Sequence, residues 1–162
     1  MKKILASLLA VVVLLAVMVT PVMADTGSTE ITGTVEEAVE VSAPAAFGLG
    51  VLTVGGTTES GEKTVTVDAN HAGWTLEVHE ADGEGKMSTN GDVLTNEMQV
   101  KGGDITSYTN LGGNAAKVTL EDSGAKGTSQ TISVYFSQAV TWGDVAGTYS
   151  ITLTFTATAA TP

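Results

Sequence analysis

Cysteine and arginine are absent from this chain, and only two tryptophans, two histidines and three prolines occur in its 162 residues. Without cysteine there is no disulfide, no thiol nucleophile and no thiolate metal centre. The two histidines, His71 in an expected turn and His79 at an expected strand end, lack the neighbouring ligands that a zinc site needs, so each is expected on the solvated surface. No Gly-x-Ser-x-Gly elbow is present. The stretch from Gly56 to Thr64 approaches a phosphate-binding loop, but Glu62 stands between Gly61 and Lys63 and would repel phosphate, so a turn is expected there. No constellation of catalytic residues emerges, no cofactor is implied, and a non-enzymatic protein is the expectation. The excess of acidic over basic residues, 18 against seven, gives a net charge of −11. Such a surface repels nucleic-acid phosphates and anionic lipid, so no nucleic acid is expected as a partner.

What the chain does have begins with a leader. Lys2 and Lys3 precede an apolar run from Ile4 to Val19, followed by Thr20-Pro21-Val22-Met23-Ala24. A basic start, an apolar centre and small residues before a cut make a secretory signal peptide, 1–24, with cleavage expected after Ala24. The mature chain, 25–162, has the size of one domain. No later run is long and apolar enough to span a membrane. A secreted or cell-surface location follows, and an exported protein without disulfides suits a prokaryotic surface.

Threonine, valine, glycine and alanine dominate the mature chain, which favours pleated strands and tight turns. Apolar residues alternate with polar ones in one segment after another. Ile31, Gly33, Val35, Val39 and Val41 share a parity, with Glu37 as an interruption that suggests a bulge. Phe47, Leu49 and Val51 open a second region. Val65, Val67 and Ala69 lead into a hairpin turn at Asn70-His71-Ala72-Gly73, and Trp74, Leu76 and Val78 return from it. The polar stretch from Glu80 to Asp92 reads as a mobile loop. Met98 and Val100, then Ala116 to Leu120, then Ile132 to Phe136, and finally Tyr149 to Ala157 complete about eight strands. An all-β fold is expected, a two-sheet antiparallel β-sandwich with Greek-key or jelly-roll connections. The segment 26–41 reads first as a strand of the chain's own sandwich, with strand addition to a neighbouring subunit as the alternative.

Two places carry candidate chemistry. Glu80, Asp82, Glu84 and Asp92 gather carboxylates in one loop, where calcium is the cation that such oxygen ligands would take, although the spacing is not that of an EF-hand. Trp142, beside the turn Gly143-Asp144, is expected to pack at the sandwich end, with a partly exposed platform for a ligand as the alternative. Trp74, in step with Leu76 and Val78, is the expected core anchor.

The run Phe47-Gly48-Leu49-Gly50-Val51-Leu52, the strand Thr64 to Asp68 and the segment Gly73-Trp74-Thr75-Leu76-Glu77-Val78 together resemble the first half of the WxL domain of Gram-positive cell surfaces. Trp74-Thr75-Leu76 matches the family's first Trp-x-Leu motif. In place of the second motif stands Trp142-Gly143-Asp144. The closing Gly147-Thr148-Tyr149 and the strand after it look like the last strand of fimbrial-type and spore-coat-type surface sandwiches. The resemblance implies a cell-surface or appendage component and, through the family, association with peptidoglycan. The expected function is therefore a structural or wall-associated surface protein with self-association or a cell-wall polymer as partner. A carbohydrate-binding module, aided by calcium, is the alternative.

Overall fold

A computed structural model describes residues 29–81 and 83–160. The leader, its cut after Ala24 and Asp82 lie outside the described residues. The chain divides between Thr34 and Val35. In the first part, residues 29–34 belong to no strand and Ile31 is 92% exposed. The remainder carries nine strands and, among the described residues, no helix.

The strands are β1 (Val39–Ser42), β2 (Thr57–Glu59), β3 (Lys63–Ala69), β4 (Trp74–Glu80), β5 (Gln99–Gly102), β6 (Ile105–Asn110), β7 (Val118–Gly124), β8 (Gly127–Ala139) and β9 (Leu153–Thr158). One sheet has the order β1-β3-β8-β5-β6, with β2 also on β8, and the other has the order β7-β4-β9. Every strand pairing is antiparallel. The expected all-β fold in two antiparallel sheets, consistent with a β-sandwich, is what the chain adopts.

The period-two pattern explains how the sheets meet. Val65 and Val67 of β3 and Val134 and Phe136 of β8 turn one face inward, and Leu76 and Val78 of β4 with Leu120 of β7 turn the other. Strands that each bury alternate residues need a second sheet to cover that face. Phe47 closes on Phe136 with ring centroids 5.4 Å apart.

Several expectations are corrected. The turn at residues 70–73 does not close a hairpin: β3 pairs with β1 and β8, β4 pairs with β7 and β9, so this turn carries the chain from one sheet to the other. Gly73, at φ 89°, supplies the left-handed backbone that the corner needs. His79 is buried rather than solvated, because parity slips at the end of β4, where Val78 and His79 are both inside. There the Glu80 N–H donates to the Gly112 carbonyl as the segment after β6 meets the strand end (3.0 Å).

The segment 47–51 forms no strand, since Gly50 at φ 79° turns the chain out of extended geometry. The last strand starts at Leu153 rather than Tyr149, opposite Glu80, where its partner β4 ends. The stretch after Glu80 is anchored rather than loose. Met87 and Leu94 tuck into the core, the Leu94 N–H donates to Met87 O (3.0 Å), and Ser88 bridges Ser150 through paired bonds of 2.8 Å.

Candidate functional site

Of the calcium candidates, Glu80, Glu84 and Asp92 form no group that could hold a metal ion, and Asp82 lies outside the described residues. Glu80 turns its carboxylate onto its own loop, where Oε2 accepts from the N–H groups of Gly85 (2.5 Å) and Lys86 (3.1 Å). Glu84 lies 3.9 Å from the Lys86 ammonium. The Asp92 carbonyl accepts from the Thr89 N–H across a tight turn (2.9 Å). Among the described residues no group of three histidine or acidic side chains could hold a metal ion.

The structure instead builds a surface at one end of the sandwich. A cleft of about 1030 Å³ lies between the stretch that follows β1 and the stretch that precedes β9. Phe47, Leu49 and Leu52 line one side, Tyr149, Ile151 and Leu153 the other, and Met87, Leu94 and Val140 form part of the floor. These wall residues pack against the core yet stay only partly buried. Both walls are segments whose alternation marks them as strands, and among the described residues their backbone pairing is confined to the Val54–Val140 and Ser88–Ser150 bridges, the Ala81–Thr152 bond and the start of β9. Among the described residues, the segment 46–52 makes no backbone hydrogen bond.

Trp142 stands beside this cleft, 88% exposed, with Val51, Val54 and Val145 also exposed nearby in the chain's two wall segments. Its loop is held firmly. The Asp144 carboxylate accepts from the Thr141 N–H (2.6 Å) and Oγ1 (3.1 Å), and from the Thr95 N–H (2.8 Å) and Oγ1 (2.7 Å). The turn is closed by the Asp144 N–H on Thr141 O, and Tyr149 Oη donates to Val145 O (2.8 Å). Gln138, fully buried at the end of β8, donates to Asn96 O and ties down the segment that bears Thr95. Trp142 is thus an exposed indole on a fixed turn, which corrects the expectation that it packs at the sandwich end. Asp144 and Gln138 were not anticipated. Their signal was available only for Asp144, a carboxylate three residues after Thr141 with Trp-Gly between, the spacing of a turn closed by its own side chain.

The donors from Thr141, first its N–H, and from Thr95 hold the Asp144 carboxyl down from 3.8 to about 2. A carboxylate with a depressed folded-state pKa contributes stability that is present above its ordinary value and is lost as pH falls through the folded one. The clamp should therefore be intact above about pH 4 and release between about pH 4 and pH 2. Amide exchange at Thr95 and Thr141 is expected to accelerate across that window, and Asp144→Asn should show the faster exchange already at neutral pH.

No protein-family model matches the chain, and no curated protein matches it at a significant level.

Proposed function

We propose that this protein is a non-catalytic, exported structural component of a prokaryotic cell surface, and that the apolar cleft is where it docks onto its neighbours. The observation that carries this reading is the cleft itself: two strand-patterned walls rich in apolar side chains, with open space between them. A sandwich that leaves such a seam half-covered has apolar area to gain by taking a partner, at roughly 25 cal/mol per Å² removed from water. The leader, the resemblance to surface sandwiches and the acidic, disulfide-free composition support the location. Electron microscopy and sedimentation of the secreted protein test it. Ordered assemblies that grow with concentration are expected, and a protein that stays monomeric with no affinity for wall material removes the reading.

Trp142 favours a second reading, a module for cell-wall glycan. An exposed indole held on a rigid turn offers a flat apolar face to a sugar ring at little entropic cost. Trp142→Ala should leave stability within about 0.5 kcal/mol of the parent, as for most exposed positions. Loss of retention on purified wall glycan in that variant would select the second reading, and unchanged retention would discard it.

A further inference from the structure

We propose that the cleft is filled by residues 29–35 of a second copy of this chain, added as a strand along the edge of the stretch Tyr149–Leu153 that leads into β9, so that subunits join head to tail. This rests on the reading that the protein assembles, and names the means.

The backbone decides which edge is open. The Ala81 N–H donates to Thr152 O (3.0 Å), and Ser150 exchanges both bonds with Ser88. The bonded pair Ala81–Thr152 continues two residues at a time as His79–Thr154, Glu77–Thr156 and Thr75–Thr158, so the even-numbered residues turn their N–H and C=O groups toward β4. Successive peptide groups in a strand face opposite edges. The N–H and C=O groups of Tyr149, Ile151 and Leu153 therefore face the other edge, the cleft side, where β9 has no strand partner among the described residues. An unpaired edge beside half-covered apolar side chains is the template to which an added strand binds, by its main chain for affinity and its alternate side chains for fit.

The same chain carries a matching segment. Ile31 is 92% exposed and Val35 86% exposed, on one parity with Gly33 between them, and neither belongs to any strand. Glu30, Thr32 and Thr34 occupy the other parity, so a strand that turns Ile31 and Val35 into a cleft keeps its charge in water. Seven extended residues span about 23 Å at ~3.3 Å each, comparable to a full-length strand of this fold.

Polarity makes the occupant a second copy. Val39 pairs with Ala69 and Ser42 with Thr66, so β1 starts at the corner formed by residues 70–73 and runs away from it. Residues just before β1 are fixed at that corner: the Ala38 N–H donates to Asn70 Oδ1 (2.9 Å), and Asn70 Nδ2 donates to Glu36 O (2.8 Å). Glu37 lies 3.5 Å from His71. Leu153 pairs with Glu80 and Thr158 with Thr75, so β9 begins at the far end. The cleft walls, after β1 and before β9, lie at that far end as well. Residues 36–38, which lead into β1, thus lie at one end of the sandwich, and the cleft opens at the other. Such an interface joins unlike surfaces and propagates head to tail, as a filament wherever its rotation does not close a ring. Both surfaces belong to a chain of net charge −11, so assembly is expected to strengthen as salt screens the repulsion between copies.

Sedimentation and electron microscopy of the secreted protein across salt concentrations test the proposal, beside the double variant Ile31→Asp, Val35→Asp. Both positions are exposed, so the variant should melt like the parent. Linear assemblies are expected for the parent, and the variant should need at least about tenfold higher concentration to assemble, the equivalent of ~1.4 kcal/mol per contact. A synthetic peptide of residues 29–38 should shorten the parent's filaments by occupying free clefts. A variant that assembles at the parent's concentration overturns strand donation and leaves the assembly reading standing. A parent that stays monomeric at every salt concentration overturns both. A variant that melts well below a monomeric parent assigns the segment to its own sandwich and also overturns donation.

Discussion

Trp74→Ala is expected to cost about 3–5 kcal/mol of stability, the range for emptying a buried aromatic site. Trp74 opens β4 and is 2% exposed, and its indole N–H donates to Ala125 O (2.8 Å). The substitution removes the ring from between the sheets and leaves that carbonyl without its donor, and both losses act in the same direction. Trp74 also follows the corner at Gly73, whose N–H donates to Gly124 O (2.8 Å), so the ring pins the point at which the chain changes sheets. Urea unfolding followed by tryptophan emission measures the effect. The chain has two tryptophans, and Trp142 is exposed, so Trp142→Ala isolates the Trp74 signal. Blue-shifted emission that moves red on unfolding is expected. Emission of a solvated indole, together with a silent Trp74→Ala, would place the ring on the surface.

Gly124→Ala is the second large effect, and it arises from the same contact. Gly124 of β7 stands opposite Trp74 in the ladder, and a Cβ there would fall within the indole ring, against Cε2, Cζ2 and Cδ2. A buried ring with its nitrogen tied to Ala125 has little room to retreat. Overpacking of this kind costs typically 1–3 kcal/mol, and about 3 kcal/mol is expected here because the obstacle is a rigid ring. The two substitutions share one cause, so they should not add. In a Trp74→Ala background the methyl group meets a void, and Gly124→Ala should then cost less than about 1 kcal/mol, a coupling of about 2 kcal/mol. Denaturant midpoints of the four proteins in this cycle provide the check. Additive losses would mean that Gly124 is needed for its backbone alone.

The inward rows of this sandwich were legible because burial in a two-sheet fold leaves a two-residue period. Val65, Val67, Leu76, Val78, Leu120, Ile132, Val134 and Phe136 were all readable from alternation, and all are buried. Trp74 was legible on the same ground. β6, Ile105–Asn110, was missed: its residues are half-buried or exposed on an edge, and edge strands leave weak alternation. β2 was read as part of a turn, because three residues beside glycines carry no period to detect. The exposure of Trp142 was not legible, since its apolar neighbours Val140 and Val145 suggested packing, and the clamp that fixes it depends on Thr95, far away in the chain, and on Gln138 beneath it.

By itself the sequence determined that this chain forms strands, which side chains of most strands point inward, and that two sheets must meet to cover them. Side-chain period, β-branching and turn residues are local properties, and they act within a few positions of each other. Which strands pair, where the chain changes sheet, and which edge is left open were decided only in the tertiary structure. The segment 149–158 carries one unbroken alternation, yet it becomes a paired strand only from Leu153, because β4 ends opposite that residue. The cleft exists for the same reason. Its walls are strand-like in sequence, and only the length and placement of their neighbours leave their cleft-side edges without a strand partner among the described residues.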